Sequence, residues 1–498
     1  MLRMATGVLI ATVFIGMAYA EQPSWPRFRG PRGSGVAHGK EPLPTHFGPH
    51  KNLVWKTPLP LGHSSPCVSR GRIFVTGFEK DARFETLCLD QASGRILWRR
   101  STAAEAIEKV HQVSSPASPT PATDGERVYV YFGSFGLVCY DFEGKQLWQH
   151  PLPAPNLYFG SGTSPIVAGG RVLLNVDQEG ESFLLALDAR SGEEVWKTGR
   201  PLFGRGWSTP VHVRHNGIDK VLVLGSRRLT AYALSDGAAR WSVGGLPPFT
   251  ISSPVVHGDR LFLAATDEFG EPENVVQPPR FEAFAKAHDK NGDGKIDRDE
   301  IPADLVVVDR RSSTGAGDTK LGGWYFARVD GDKDGALTRE EWDKFTDYMA
   351  RWPAEFKVTV MAIRLGVEGD VSESHVLWRE AKGVPEVPSP LVYEGYLYTV
   401  MNGGILFCRN AETGKLIYRK RLGSVGGYFA SPVAGDGKLH FATDRGVVVV
   451  VKSGEAFEVL ARNDLGEPIM ATPALVGGQI LVRTEGHLFA FTHSPAAD

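Results

Sequence analysis

The 498-residue chain contains only four cysteines, Cys67, Cys88, Cys139 and Cys408. They form no CxxC, no adjacent pair and no Cys/His cluster at zinc spacing, which removes dithiol redox motifs and structural zinc sites from consideration. Four cysteines allow three complete pairings that sequence cannot rank, and burial as small apolar side chains is the expectation for most of them. No block of lysine and arginine stands out among 55 basic and 57 acidic residues. The basic footprint that a nucleic-acid partner requires is therefore missing. After the first 20 residues no apolar run is long enough to cross a bilayer, so no stable membrane insertion is expected. There is also no GxSxG, no HExxH and no phosphate-binding loop, and the 14 histidines are scattered rather than clustered.

What is present begins at residue 1. Arg3 supplies a positive start, "TGVLIATVFIGM" an apolar stretch, and "AYA" a small-residue end. This pattern predicts an export signal cleaved after Ala20, and hence a periplasmic or extracellular protein. Glu21 stands where a lipoprotein would carry cysteine.

Glycine (57) and proline (33) are abundant, and they punctuate a repeat. Ser/Thr-Pro followed by an apolar strand occurs at Ser65, Thr120, Ser164, Thr209, Ser253, Ser389, Ser431 and Thr472. Most neighbours are 41 to 45 residues apart; the fifth interval is 136, so about 90 extra residues sit in the fifth unit. Downstream in five units a glycine stands four residues before an aromatic: Gly94 and Trp98, Gly144 and Trp148, Gly192 and Trp196, Gly237 and Trp241, Gly414 and Tyr418. The glycine suits a tight turn of positive φ, and the aromatic is an apolar plate for packing between sheets. About four short alternating strands per unit, repeated eight times, predict an all-β protein, an eight-bladed β-propeller of four-stranded blades. The last unit supplies three strands before the chain stops, and "NLVWKTPL" around Trp55 is a strand without predecessors. The Trp55 strand is therefore expected to complete the last blade and close the ring.

The "LDxxSGxxLW" repeats resemble those of PQQ-like propeller proteins, the group that includes quinoprotein dehydrogenases and BamB-like assembly factors. The opening "WPRFRGPRGSG", Trp25 to Gly35, is similar to the start of secreted bacterial members.

The fifth unit carries an insertion between its second and third strands, with two loops in the EF-hand pattern. The first offers Asp289, Asn291, Asp293, Asp297 and Glu300 at positions 1, 3, 5, 9 and 12, with Gly294 at 6. The second offers Asp330, Asp332, Asp334, Thr338 and Glu341, with Gly335 at 6. Calcium takes six to eight oxygens, which closely spaced carboxylates, a position-7 carbonyl (Lys295 and Ala336) and a bidentate glutamate supply. Two calcium sites are expected, flanked by helices in "PPRFEAFAKAH", "WYFARV" and "EEWDKFTDYMARW". Ile296 and Leu337 at position 8 suit a short strand pair. The loop starts lie 41 residues apart, and a linker over Asp309–Gly323 is expected to absorb the excess.

The expected organisation is a signal at 1–20, an N-terminal extension at 21–49, propeller at 50–269, the EF-hand insertion at 270–356, propeller at 357–493 and a tail at 494–498. The function expected is a calcium-stabilised binding platform, not an enzyme, acting as a monomer on a protein or glycan partner of the envelope. Candidate contact loops are Gly77–Glu85, Ala154–Gly162 and Gly423–Ser431, whose Tyr158, Phe159, Tyr428 and Phe429 are read mainly as core. A PQQ-dependent dehydrogenase is the alternative implied by the resemblance; the vicinal disulfide of many such enzymes has no counterpart here, and PQQ is not expected. A polysaccharide-binding or -processing propeller is the third reading.

Overall fold

The computed structural model describes residues 23–493 apart from 40, 80–82, 202, 267–275, 309–318, 323–325, 356–357 and 367. The expected export signal and C-terminal tail lie outside the described residues, as do most of the expected linker and the edges of the insertion. Eight antiparallel sheets follow one another along the chain and form an eight-bladed propeller. Blade 1 is typical: Cys67–Ser69, Arg72–Glu79, Arg83–Asp90 and Ile96–Ala103, paired in chain order from the inside outward. Ring closure is as expected. Leu53–Pro58 pairs antiparallel with His487–Thr492, Trp55 opposite Ala490, and completes blade 8.

Position in the blade explains the strand sequences. The second strand of blade 2, "RVYVYF", is buried on both faces because neighbouring blades cover it, and it is almost wholly apolar. The outer strand of the same blade, "QLWQHP", hides only Trp148 well and exposes its polar neighbours. All four cysteines are buried free thiols. Burial pushes the Cys88 thiol up to about 12, so it stays protonated.

The glycine-to-aromatic repeat proves to be a contact between blades. Gly94 of blade 1 has φ 70°, and a methyl group placed on it would lie 2.4 Å from the ring of Trp55 in blade 8. Gly144 meets Trp98, Gly192 meets Trp148, and Gly237 meets Trp196 in the same way. Each indole N–H also donates to the turn of the next blade, Trp55 to Gln91 O at 3.0 Å and Trp98 to Phe142 O at 2.7 Å. Gly414 packs on Trp378, the fifth-blade plate that the insertion hides from a spacing search. Blade 4 differs: its outer strand, Ala239–Val243, gains a parallel fifth strand, Gly369–Asp370, contributed by the blade-5 excursion.

The segment Trp25–Gly35 crosses the ring. Trp25 exchanges backbone hydrogen bonds with Val68 in blade 1, and Thr123 N in blade 2 donates to Pro26 O. Farther on, Arg29 donates to Pro390 O at 2.7 Å before blade 6, and Ala434 N in blade 7 donates to Gly35 O. Gly30 at φ 66° lies against the Trp25 ring, where any side chain would collide. The sequence "WPRFRG" is therefore a strap that pins four blades and turns Phe28 toward the channel.

Candidate functional site: a hydroxyl-ringed funnel and a paired EF-hand module

The Ser/Thr-Pro repeats meet at the axis. Each residue before proline sits at the start of a blade, and its backbone N–H donates to the side-chain oxygen of its counterpart in the next blade. Ser65 N reaches Thr120 Oγ1 at 2.9 Å, Thr120 N reaches Ser164 Oγ at 2.9 Å, and Ser164 N reaches Thr209 Oγ1 at 3.1 Å. Thr209 N bonds to Ser253 Oγ, Ser253 N to Ser389 Oγ, Ser389 N to Ser431 Oγ, and Ser431 N to Thr472 Oγ1, all between 2.9 and 3.0 Å. Thr472 N closes the circle on Ser65 Oγ at 3.0 Å. Proline at the following position keeps the hydroxyl-bearing residue extended. The bond between Ser253 and Ser389 spans the whole insertion, so the ring is continuous despite it.

Above this ring opens a cavity of about 260 Å³ that all eight hydroxyl residues line. Its walls come from the connections between blades. Trp207 and Phe249 have ring centroids 4.9 Å apart, and Phe159 lies 5.7 Å from Trp207. Trp207 is fixed by its N–H to Gly160 O at 2.8 Å, and Gly162 leaves it room. The titratable residues of the lining are His63 and Glu386. Burial, reinforced by Arg483, pulls His63 down to about 4, so it is neutral at physiological pH.

Four of the chain's exposed apolar side chains stand on the face where the funnel opens: Leu61, Val113, Tyr158 and Val425, the last 82% exposed. All four lie on blade-to-blade connections. Of the aromatics read as core, Tyr428 is fully buried, while Phe159 and Phe429 line the funnel and Tyr158 is about half exposed. These three correct the core reading, because their loops fold over an open channel rather than a closed interior. Sequence reading missed Trp207 and Phe249 altogether and held Phe28 only within the opening stretch "WPRFRG". Its available signal was the repeat itself, which has a hydroxyl residue before proline every time.

The insertion shares this face. Strands alternate in direction, so the tip between the second and third strands lies at the same end as the blade-to-blade connections. The insertion leaves from that tip in blade 5, between Arg260–Ala265 and Thr359–Arg364, which pair in full register. The candidate loops Gly77–Glu85, Ala154–Gly162 and Gly423–Ser431 occupy the same face; residues 80–82 of the first lie outside the described residues.

Helix α1, Phe281–His288, precedes loop one, α2, Phe326–Val329, precedes loop two, and α3, Arg339–Glu355, follows it. Phe284 stacks on Trp342 at 4.1 Å, and the module's apolar core is continuous with that of blades 5 and 6. Ile296 pairs with Leu337, so the two loops lie side by side in spite of their long spacing. Gly294 and Gly335, at φ 79° and 93°, make the sharp turns. In loop two, carboxylate oxygens of Asp330, Asp332 and Asp334 lie within 4.8 Å of one another. Asp330 Oδ1 is buried without a protein partner. Glu341 holds the loop closed through the N–H groups of Gly331 (2.7 Å) and Thr338 (2.9 Å). In loop one Glu300 does the same through Lys290 (2.6 Å) and Asp297 (3.0 Å), and Asn291 Nδ2 bridges Asp293 and Asp297. Lys295 extends its ammonium to Asp334 at 2.7 Å, so one loop's cation rests on the other's carboxylate. This oxygen-only, carboxylate-rich donor set fits calcium.

A family model described as outer membrane protein assembly factor BamB matches residues 48–181 and 180–271, and an EF-hand model matches 286–301 and 325–346. Residues 48–271, a little under half of the chain, thus match the BamB-like repeat family, and the insertion matches the EF hand. Among solved structures this propeller is similar to BamB from Moraxella catarrhalis, at 11% identity and a TM-score of 0.53 over 90% of this chain and 98% of that one. A europium-containing methanol dehydrogenase matches at 12% identity and a TM-score of 0.56, over 95% and 98%. Quinohemoprotein alcohol dehydrogenase from Comamonas testosteroni matches at 13% and 0.55, over 97% and 83%. At such identities the likeness is one of fold. No curated protein matches the chain. No helix among the described residues is long and apolar enough to cross a membrane.

Proposed function

We propose that this propeller is an exported binding platform whose funnel face docks a protein partner and whose EF-hand pair binds two calcium ions. The observation that carries the reading is that four exposed apolar side chains, Leu61, Val113, Tyr158 and Val425, share with the aromatic funnel the face that also bears the insertion. Exposed apolar groups gathered on one face mark an interaction surface. A photo-crosslinking residue at Tyr158 or Val425 is expected to trap one discrete envelope protein. The same residue at Ile218, exposed on the opposite face, is expected to trap none. Equal yields from the two faces would defeat the reading.

Calcium would be held in loop one by Asp289, Asn291, Asp293, Asp297, Glu300 and the Lys295 carbonyl. In loop two it would be held by Asp330, Asp332, Asp334, Thr338, Glu341 and the Ala336 carbonyl. Its role would be structural, since an exported protein meets a steady calcium supply for which sites of about 10⁻⁴–10⁻³ M suffice. Calorimetry on the whole chain should give two equivalents, with Glu300→Gln and Glu341→Gln each removing one. Lack of any calcium heat in the wild-type chain would refute the metal assignment.

The dehydrogenase reading fits the funnel less well. PQQ carries three carboxylates, and the described lining supplies no lysine or arginine to receive them, only neutral His63 and acidic Glu386.

A further inference from the structure

The hydroxyl ring has a chemistry that its structural role leaves unused. Each hydroxyl has one donor hydrogen and two acceptor lone pairs. In all eight residues the oxygen accepts a backbone N–H from the neighbouring blade, and among the described residues none of the eight O–H groups has an acceptor. These residues are 2 to 5% exposed, and they border the cavity. Eight donors thus face one small chamber. A buried donor left unpaired costs on the order of 1–3 kcal/mol, so the chamber calls for acceptors at its floor.

The rest of the lining restricts what can bring them. The walls are aromatic, with Phe28 facing the chamber from the crossing strap. No lysine or arginine is among the residues lining the chamber, and Arg483, in the adjoining recess, is engaged by Ser64 and Pro60, which disfavours an anion. The donors themselves repel an ammonium, although the aromatic faces and Glu386 would attract one.

We propose that the funnel holds an uncharged, carbonyl-bearing group on an apolar body, its oxygens accepting from the hydroxyl ring directly or through water. The proposal rests on the funnel face being the binding face and adds the chemistry it selects. Two sources share that chemistry, a segment of a partner's peptide chain and an acyl ester.

The test is calorimetric titration of the full-length chain with one benzyl body under three heads: benzyl acetate, phenylacetate and benzylamine. N-acetylphenylalanine methylamide serves as the peptide probe. The uncharged ester or the amide is expected to bind at least about tenfold more tightly than either charged compound, because the ammonium leaves the hydroxyl donors unpaired and the carboxylate loses its hydration with no cation beside it. The tighter of the two uncharged probes identifies the source. Ser389→Ala should weaken that probe several-fold and Ser389→Thr should restore it; if the alanine variant does not fold, the wild-type series still decides. Benzylamine binding tightest would make the funnel a cation cage and overturn the proposal, as would the absence of binding by both uncharged probes. Crosslinking at Tyr158 or Val425 that persists with no probe binding would sink this inference alone and leave the platform standing.

Discussion

Asp177→Ala is expected to lower the unfolding free energy by about 3–5 kcal/mol, the cost of leaving a buried charge unpaired. Asp177 and Arg200 are both completely buried, and they form a bidentate pair, Nε to Oδ1 at 2.6 Å and Nη2 to Oδ2 at 2.8 Å. Arg200 also donates to the Tyr232 hydroxyl and lies 3.7 Å over the Phe203 ring. A methyl group on Gly225 would meet Arg200 Nη2 at 2.4 Å, so the pocket is closed around the guanidinium. Alanine would strand that cation among apolar rings. The damage should reach the funnel, because Gly206 N donates to Asp177 O and Trp207 follows directly. Urea unfolding should therefore show a lower midpoint together with a changed near-ultraviolet signal from the Trp207–Phe249 pair. A second variant separates charge from packing. Asp177→Leu combined with Arg200→Met should recover much of the loss, since apolar replacement of a buried pair is often neutral. A single Asp177→Ala variant with wild-type stability would show that the pair carries no such weight.

The pair also marks a limit of sequence reading. Asp177 and Arg200 are 23 residues apart, in a hairpin tip and a blade-to-blade connection, and no local pattern relates them. The fold was far more legible because its determinants repeat. The Ser/Thr-Pro spacing located all eight blades, and the orphan Trp55 strand located the closure. The EF-hand loops were legible because their ligands fall within a dozen consecutive residues, and the Ile296–Leu337 pairing resolves what the long spacing left open. The funnel was not legible. Its lining takes two to four residues from each of eight distant connections, so its chemistry exists only after closure. The hydroxyl before each proline was visible as a turn signal, but its second role as a donor directed at the axis depends on the ring geometry. Phe28 was read only as part of a resemblance, because nothing local says that "WPRFRG" crosses beneath a channel.

The loop from Ala104 to Pro121 should make the funnel sensitive to pH through Glu108. Burial pushes this carboxyl up to about 7, only partly offset by the hydrogen bonds that its Oε2 accepts from the Ser161 N–H and hydroxyl, each at 3.0 Å. Its Oε1 is buried with no protein partner. Gly133 and Gly160 crowd the site, so no side-chain rearrangement readily admits water: a methyl on Gly133 would lie 2.2 Å from Glu108 Oε1. The folded protein thus keeps its proton until about pH 7, whereas the unfolded chain releases it near the usual glutamate value of 4.5. Between those values the native state binds more protons, so stability falls as pH rises, is full below about 4.5, and levels off above 7. The interval corresponds to roughly 3 kcal/mol, at 1.36 kcal/mol per pKa unit. Because the same loop carries Val113, Ser114 and Ser118 into the funnel lining, the loss should appear as local opening at the mouth. Hydrogen exchange across residues 104–121 and at the Ser161 amide should quicken from pH 5 to 8 beyond the intrinsic base-catalysed increase. Glu108→Gln keeps the shape and removes the titration, so it should flatten that excess and leave the distant Ile296–Leu337 pair unaffected. An excess that persists undiminished in Glu108→Gln would assign the pH response to another group.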